Sequence, residues 1–300
     1  MDTLLVTGSN GLLGSRLIRQ ALGTYRVVAL SRRLAANHYS DCFEFRQVDI
    51  RDAAAVLELC REVQPRAVLH TAAMTDVDAC EQSSQEAWDV NVRGTENVAR
   101  ACRSVEARLV FLSTDYVFSG ADGPYSEEDQ PHPVSVYGRT KLAGERLVAD
   151  ICADHCIART STLYGYQEGA RPNFVTWLVD RLRQGEAATV VTDQISSPTF
   201  VDSLAEMVLA MASGDAHGLY HSTGAEWLSR YDFALRIARC FGLDADLVRP
   251  GVTASLRQPA QRPRHSGLRT SRVIEELGVR PLTVDEGLAA LRAQMEASGQ

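Results

Sequence analysis

The 300-residue sequence has no Cys-x-x-Cys pair, no internal repeat and no low-complexity segment. It also has no apolar run approaching the ~20 residues that cross a bilayer, so no membrane partner is expected. Basic residues are not in excess: 31 Lys and Arg stand against 38 Asp and Glu, a formal net charge of -7 that argues against a nucleic-acid partner. The cysteines, at 42, 60, 80, 102, 152, 156 and 240, are odd in number and scattered. That pattern suits reduced thiols in the cytoplasm better than a secreted disulfide framework. The Met1-Asp2 start runs straight into a strand-like stretch, so a cytoplasmic protein without a signal peptide is the expectation. With 45 % hydrophobic and 23 % charged residues, the chain can bury a core without disulfides or metals to hold it.

What is present is a rhythm. Residues 3–7 form a short apolar run followed by glycine, as a buried parallel strand does. Helical spacing follows over 11–22, with Leu13, Leu17, Ile18 and Leu22 near one face. Further strands are expected at 25–30, 43–49, 67–73, 108–114 and 157–163, and helices at 52–62, 84–103 and 134–154. Alternation of this kind implies right-handed crossovers and an α/β fold: a Rossmann-like, doubly wound parallel sheet whose ligands sit outside the carboxyl ends of the strands. Beyond Gly165 the rhythm changes, with helical stretches near 173–183, 202–212, 229–240 and 284–295 and a Pro/Arg-rich loop at 258–267. Residues 1–165 are therefore expected to form the dinucleotide-binding domain, with 188–223 returning to it. A smaller, discontinuous substrate domain would comprise 166–187 and 224–300.

Between the first strand and the first helix lies Gly8-Ser9-Asn10-Gly11-Leu12-Leu13-Gly14. Glycines here let backbone N–H groups approach a pyrophosphate at the helix N-terminus, and the third permits close packing of helix on strand. The second strand ends in Ser31-Arg32-Arg33, where an NAD site usually carries Asp or Glu. A guanidinium binds a 2′-phosphate that a carboxylate would repel, so NADP(H) is expected, with NADPH preferred over NADH.

Tyr137 and Lys141 stand four residues apart, on one face of a helix. A phenol of pKa ~10 is a poor proton donor near neutrality, and a neighbouring cation is expected to lower that value. Ser113-Thr114 closes the preceding strand, where a hydroxyl can hydrogen-bond a substrate carbonyl. Tyr137 and Lys141, with one of these two hydroxyls, are thus the expected catalytic residues.

With these segments the chain resembles the extended short-chain dehydrogenase/reductase superfamily, and within it the dTDP-4-dehydrorhamnose reductase branch. The resemblance rests on 6–8, 48–52, 71–78, Asn91-Val92-Arg93-Gly94-Thr95, 113–120, 136–145, Asn173-Phe174, Asp193-Gln194, Ser197-Pro198-Thr199 and Arg262-Pro263. It implies that Thr114 rather than Ser113 is the catalytic hydroxyl beside Tyr137, that Asp49, with Ile50 beside it, contacts the adenine, that Ala72, Ala73 and Thr75 border the cofactor, and that Asn91 supports a water relay behind the lysine. It also implies a small-molecule nucleotide-sugar substrate, bound by Thr75, Val77, Thr114, Asp115, Tyr116, Thr162, Asn173 and Arg262. The implied activity is NADPH-dependent reduction of a nucleotide-linked 4-keto-6-deoxy sugar. Assembly as a homodimer is compatible with it. The chain departs from the branch at Thr162, where an aromatic residue is usual, and at His70 and Cys80. The Asp115-Tyr116 sequence lacks the Asp-Glu pair of the related dehydratases. A related keto-sugar reductase or epimerase, or an NADP-binding regulatory subunit resembling that of methionine adenosyltransferase, are the alternatives.

Other features are expected to be structural. His217 and His221 share one strand face without a third ligand, so no metal is expected. Cys152 and Cys156 read as buried thiols, Glu127-Glu128-Asp129 as a solvated loop, and Trp88, Trp177 and Trp227 as packing residues.

Overall fold

A computed structural model describes residues 1–33 and 42–299. The strands are β1 (Thr3–Thr7), β2 (Arg26–Ser31), β3 (Glu44–Gln47), β4 (Ala67–His70), β5 (Arg108–Thr114) and β6 (His155–Thr160). They join Gly218–His221 in one sheet, ordered Gly218–His221, β6, β5, β4, β1, β2, β3, with every pairing parallel. The chain winds outward from β1 in one direction and from β4 in the other. The crevice beyond their carboxyl ends is therefore the switch point where ligands of such sheets bind. Thr7 and His70 end the two strands as register partners.

Both faces of the sheet are covered, which is why its inner strands read as unbroken apolar runs. Successive side chains still alternate. Leu4 and Val6 join Leu17 of α1 (Leu12–Ala21) and Leu204 of helix Val201–Ser213 in one buried cluster. Leu5 and Val28 join Leu59 of α2 (Ala53–Val63) and Val98 of helix Gly94–Ser104 on the other face. Helices Phe174–Arg183, Arg230–Phe241 and Val284–Ala297 extend the first cluster through Leu178, Phe233 and Leu288. Within 188–223, Ala188–Val191 pairs with Val248–Gly251 away from the large sheet, whereas Gly218–His221 joins it.

Several expected elements end earlier than their apolar pattern. β4 stops at His70 because the chain then bends onto β1: the Thr71 hydroxyl donates to Thr7 O (2.6 Å) and Ala72 N–H to Thr7 Oγ1 (3.2 Å). The strand expected over 157–163 leaves the sheet after Thr160, where the Ser161 hydroxyl donates to Asp115 (2.7 Å). Leu163–Tyr164 pairs instead with Thr199–Phe200. The helix expected over 84–103 is α4 (Ser84–Trp88), a π-helical turn at Asp89–Arg93 and α5 (Gly94–Ser104). The wide turn presents Asn91 sideways, its side chain clasping the Met74 backbone. Helices α3 (Val77–Gln82) and Ser271–Leu277 are too short to carry a readable period.

Leu17 is fully buried between α1 and the sheet. Leu17→Ala is expected to destabilise the protein by about 3 kcal/mol, read as a lower midpoint in equilibrium chemical denaturation. A loss below about 0.5 kcal/mol would show that this layer is not close-packed.

Candidate active site

β1 runs directly into the glycine turn. Gly8 sits at a φ of +67°, and a Cβ there would meet the Ala72 backbone nitrogen at 2.7 Å. A Cβ on Gly14 would collide with the Gly8 carbonyl oxygen. Both positions thus demand glycine, and the turn lies flat against the chain leaving β4. Gly11 is the N-cap of α1 and offers no side chain to the first N–H groups of the helix. The backbone donors there remain for a ligand, the usual chemistry of an anion site.

A cavity of about 550 Å³ runs along the carboxyl ends of β1, β2, β4 and β5. One end is formed by Gly8, Asn10, Gly11, Leu12, Leu13 and Gly14, flanked by Ser31 and Arg32. Asp49 and Ile50 stand beside them; Ala72, Ala73 and Thr75 line the middle; Tyr137 and Lys141 close the other end. Of the residues expected at the dinucleotide, Arg33 is outside this wall, and its carbonyl accepts from Asn10 Nδ2 (2.7 Å). Asp49 is bound by the Arg51 guanidinium (2.6 Å), which holds its carboxyl below the usual range.

Tyr137 and Lys141 lie one turn apart on α6 (Val136–Ile151), whose N-cap Ser135 accepts from Gly138 N–H (3.2 Å). Both are buried, Lys141 to 3 % exposure. Its Nζ stands 4.1 Å from the centre of the Phe111 ring. Burial brings the lysine down to about 7, with Glu145 pulling it back up. Glu145 is itself held by Arg159, through Nε (2.8 Å) and Nη2 (2.7 Å), and by the Ser113 hydroxyl. The expectation that the ammonium lowers the phenol is corrected here: burial dominates and pushes Tyr137 up, against a hydrogen bond with Thr114. Tyr137 is consequently a neutral phenol with its proton in place. Behind the pair, Asn91 accepts from Met74 N–H (2.8 Å) and donates to Thr140 Oγ1 (3.0 Å).

The residues expected at the sugar are dispersed by comparison. Thr75 lines the cavity, while Val77 and Tyr116 pack around Tyr137, the Tyr116 ring edge-on at 5.8 Å. Thr114 accepts from Tyr116 N–H (3.2 Å) and donates to Asp115 (3.1 Å). Asp115 is 2 % exposed and accepts from the Ser161 (2.7 Å) and Ser266 (2.6 Å) hydroxyls, so its carboxylate faces inward. Thr162 meets Ser196 (2.9 Å). Asn173 caps helix Phe174–Arg183 and donates to Gly165 O (2.6 Å), lining a second cavity of about 290 Å³. Arg262 is engaged by both oxygens of Asp78, each at 2.6 Å. Sequence reasoning missed Asp78, Glu145 and Arg159. Only Glu145 had a readable signal, its place one turn beyond Lys141.

Three side expectations change. Glu127 is not solvated: it accepts from His221 N–H (2.8 Å) and its side chain is 12 % exposed. Trp88, Trp177 and Trp227 are 43, 40 and 43 % exposed rather than packed away. His217 and His221 belong to different neighbourhoods, the first beside His155 (4.8 Å) and the second beside Phe118 (5.9 Å).

The model of the RmlD substrate binding domain family matches residues 1–297. The chain is 37 % identical to a probable low-salt glycan biosynthesis reductase of Haloferax volcanii, over 96 % of each chain. It is 38 % identical to a dTDP-4-dehydrorhamnose reductase of Streptomyces griseus, over 93 % of this chain and 88 % of that one. Among solved structures, the dTDP-4-dehydrorhamnose reductase of Bacillus anthracis str. Ames in complex with NADP superposes with a TM-score of 0.88. Its sequence identity is 31 %, and the match covers 98 % of this chain and 99 % of that one.

The depressed lysine has a consequence for stability. Between about pH 7 and the ordinary lysine value of 10.5 the unfolded chain holds this proton and the folded chain does not, so stability rises with pH. Buried thiols such as Cys60, raised from 9.0 to about 11, act oppositely at higher pH. The urea midpoint of the ligand-free protein is therefore expected to climb from about pH 7 to about pH 8.5, and Lys141→Met to flatten the climb. A wild-type midpoint that falls over that interval would show that Lys141 keeps its ordinary pKa.

Proposed function

The chain belongs to the RmlD substrate binding domain family, and from that premise we propose that it is an NADPH-dependent oxidoreductase that reduces a nucleotide-linked 4-keto-6-deoxy sugar. One observation carries the reading: a buried phenol and a buried ammonium, one helical turn apart, close the same cavity that the glycine turn opens. The substrate class follows from relatives named for reducing dTDP-4-dehydrorhamnose.

The residues fit the cofactor. The space that side chains at Gly8 and Gly14 would fill, together with the uncapped start of α1, would hold a pyrophosphate. Ser31 and Arg32 would hold a 2′-phosphate, and Lys141 the ribose nearest the reacting carbon. When bound, NADPH supplies a hydride to the ketone carbon. Tyr137 donates its proton to the ketone oxygen, and Thr114 orients that oxygen. Lys141, one turn along, stabilises the phenolate left behind. We assign 1–165 with 201–223 to the cofactor and 166–200 with 224–300 to the sugar; the return expected to begin at 188 begins later because Ala188–Val191 pairs with Val248–Gly251 and not with the large sheet. The free thiols from Cys60 to Cys240 support a reducing, cytoplasmic setting.

The direct test is NADPH consumption across a panel of nucleotide-linked 4-keto sugars. Turnover with at least one is expected; NADPH bound but never consumed would leave the regulatory-subunit reading instead. Tyr137→Phe should lower kcat by at least about a hundredfold while NADPH affinity stays within a few-fold. Turnover near wild type in that variant would remove Tyr137 from the chemistry. Arg32→Glu should weaken NADPH binding by about tenfold or more and leave NADH binding largely unchanged. An equal loss for both dinucleotides would mean that Arg32 does not read the 2′-phosphate.

A further inference from the structure

His70 is 1 % exposed, and both of its ring nitrogens are engaged. Nδ1 lies 2.7 Å from Thr7 Oγ1 and Nε2 lies 3.1 Å from Thr95 Oγ1. The neighbours decide which nitrogen carries hydrogen. Thr95 donates its single hydroxyl hydrogen to Asn91 O (2.7 Å), so toward the imidazole it can only accept. Nε2 is therefore protonated and Nδ1 bare, and the Thr7 hydroxyl donates to Nδ1. Thr7 Oγ1 keeps lone pairs for Ala72 N–H (3.2 Å). A single directed chain results: Ala72 N–H to Thr7, Thr7 to His70, His70 to Thr95, Thr95 to Asn91.

Both ends of that chain touch the site. Ala72 and Ala73 line the cavity. Asn91 clasps Met74 on its N–H and carbonyl and donates to Thr140, the residue before Lys141, whose hydroxyl donates to Tyr137 O (2.9 Å). The Phe111 ring neighbours both the imidazole (5.6 Å) and the Lys141 ammonium (4.1 Å).

We propose that His70 is a positioning residue that, as a neutral imidazole protonated at Nε2, ties the loop carrying Ala72 and Ala73 to the asparagine and lysine behind the reacting centre. This rests on the reductase reading above. A second ring proton would set an N–H against the Thr7 hydroxyl, break the chain, and place a second cation beside the ring that Lys141 faces. Burial and that lysine hold the imidazole down to about 3, so it stays neutral wherever the enzyme works.

Two-bond proton–nitrogen correlation spectra of the ¹⁵N-histidine-labelled, ligand-free protein read the tautomer directly, with His70→Phe providing the assignment. The expected spectrum shows a protonated Nε2, a bare Nδ1 and no titration from about pH 5 to about pH 9. A proton on Nδ1, or a midpoint near the ordinary histidine value, overturns the proposal. Fluorescence titration with NADPH supplies the second measurement. His70→Phe fills the ring's volume but makes neither hydrogen bond, and the dissociation constant is expected to rise about tenfold. His70→Asn sets an amide oxygen where Nδ1 stood and restores the Thr7 half of the chain. It should bind NADPH within about threefold of wild type, whereas kcat should be lowered in both variants because the donor to Thr95 is lost in each. A merely space-filling role reverses that order, because Phe keeps a planar ring in the buried space and Asn does not, and Phe binding as tightly as Asn sinks the idea. Wild-type protein that fails to bind NADPH would overturn the reductase reading instead and leave the tautomer result standing.

Discussion

An ammonium taken out of water is the constraint around which this site is organised. Desolvating a charge costs several kcal/mol unless the surroundings return most of it. Lys141 meets the face of Phe111, and one turn further on it meets Glu145. Glu145 can remain a buried carboxylate because Arg159 grips both of its oxygens and Ser113 adds a third donor. Phe111 and Ser113 belong to β5 and Arg159 to β6, so the pairing of those strands sets the electrostatic environment of a side chain on α6. Even so, burial wins by enough to bring the lysine to about 7. A residue poised there is sensitive to whatever next enters the cavity.

The two ends of the cavity are built from different materials. At the glycine end the walls are backbone, brought close because Gly8 and Gly14 carry no side chains. At the tyrosine end they are side chains, Tyr137 and Lys141, and the groups behind them are fixed by partners farther along the chain: Asn91 by Met74 and Thr140, Glu145 by Arg159. Backbone donors suit an anion whose position must be held, whereas proton transfer needs a group of adjustable acidity. The crevice at the switch point lets both act on one ligand.

Ion pairing also shapes the side away from the turn. Asp76 and Asp78, at the start of α3, are met by Arg171 (2.9 Å) and Arg262 (2.6 Å) from late loops. These pairs join late loops of the chain to the start of α3, the Arg262 pair being the less exposed of the two. Arg262 is bound to both oxygens of Asp78, so any anion drawn to its guanidinium would have to compete with a bidentate partner.

The sequence by itself determined what depends on near neighbours. Strand–helix alternation specified a parallel α/β sheet, because period and turn chemistry act over a few residues. The glycine spacing between β1 and α1 located the tight turn that opens the cavity, and the four-residue interval between Tyr137 and Lys141 put both on one face of α6. Tertiary structure decided everything set by burial and distant partners. It reversed the direction of the Tyr137 shift, since the desolvation of a phenol is the sum of what packs around it. It turned Asp115 inward among Ser161 and Ser266, engaged Arg262 with Asp78, and drew Glu127 against His221. No local spacing encodes those pairs. They form only when the fold brings together groups scores of residues apart, and what a polar side chain can do depends on which partner reaches it first.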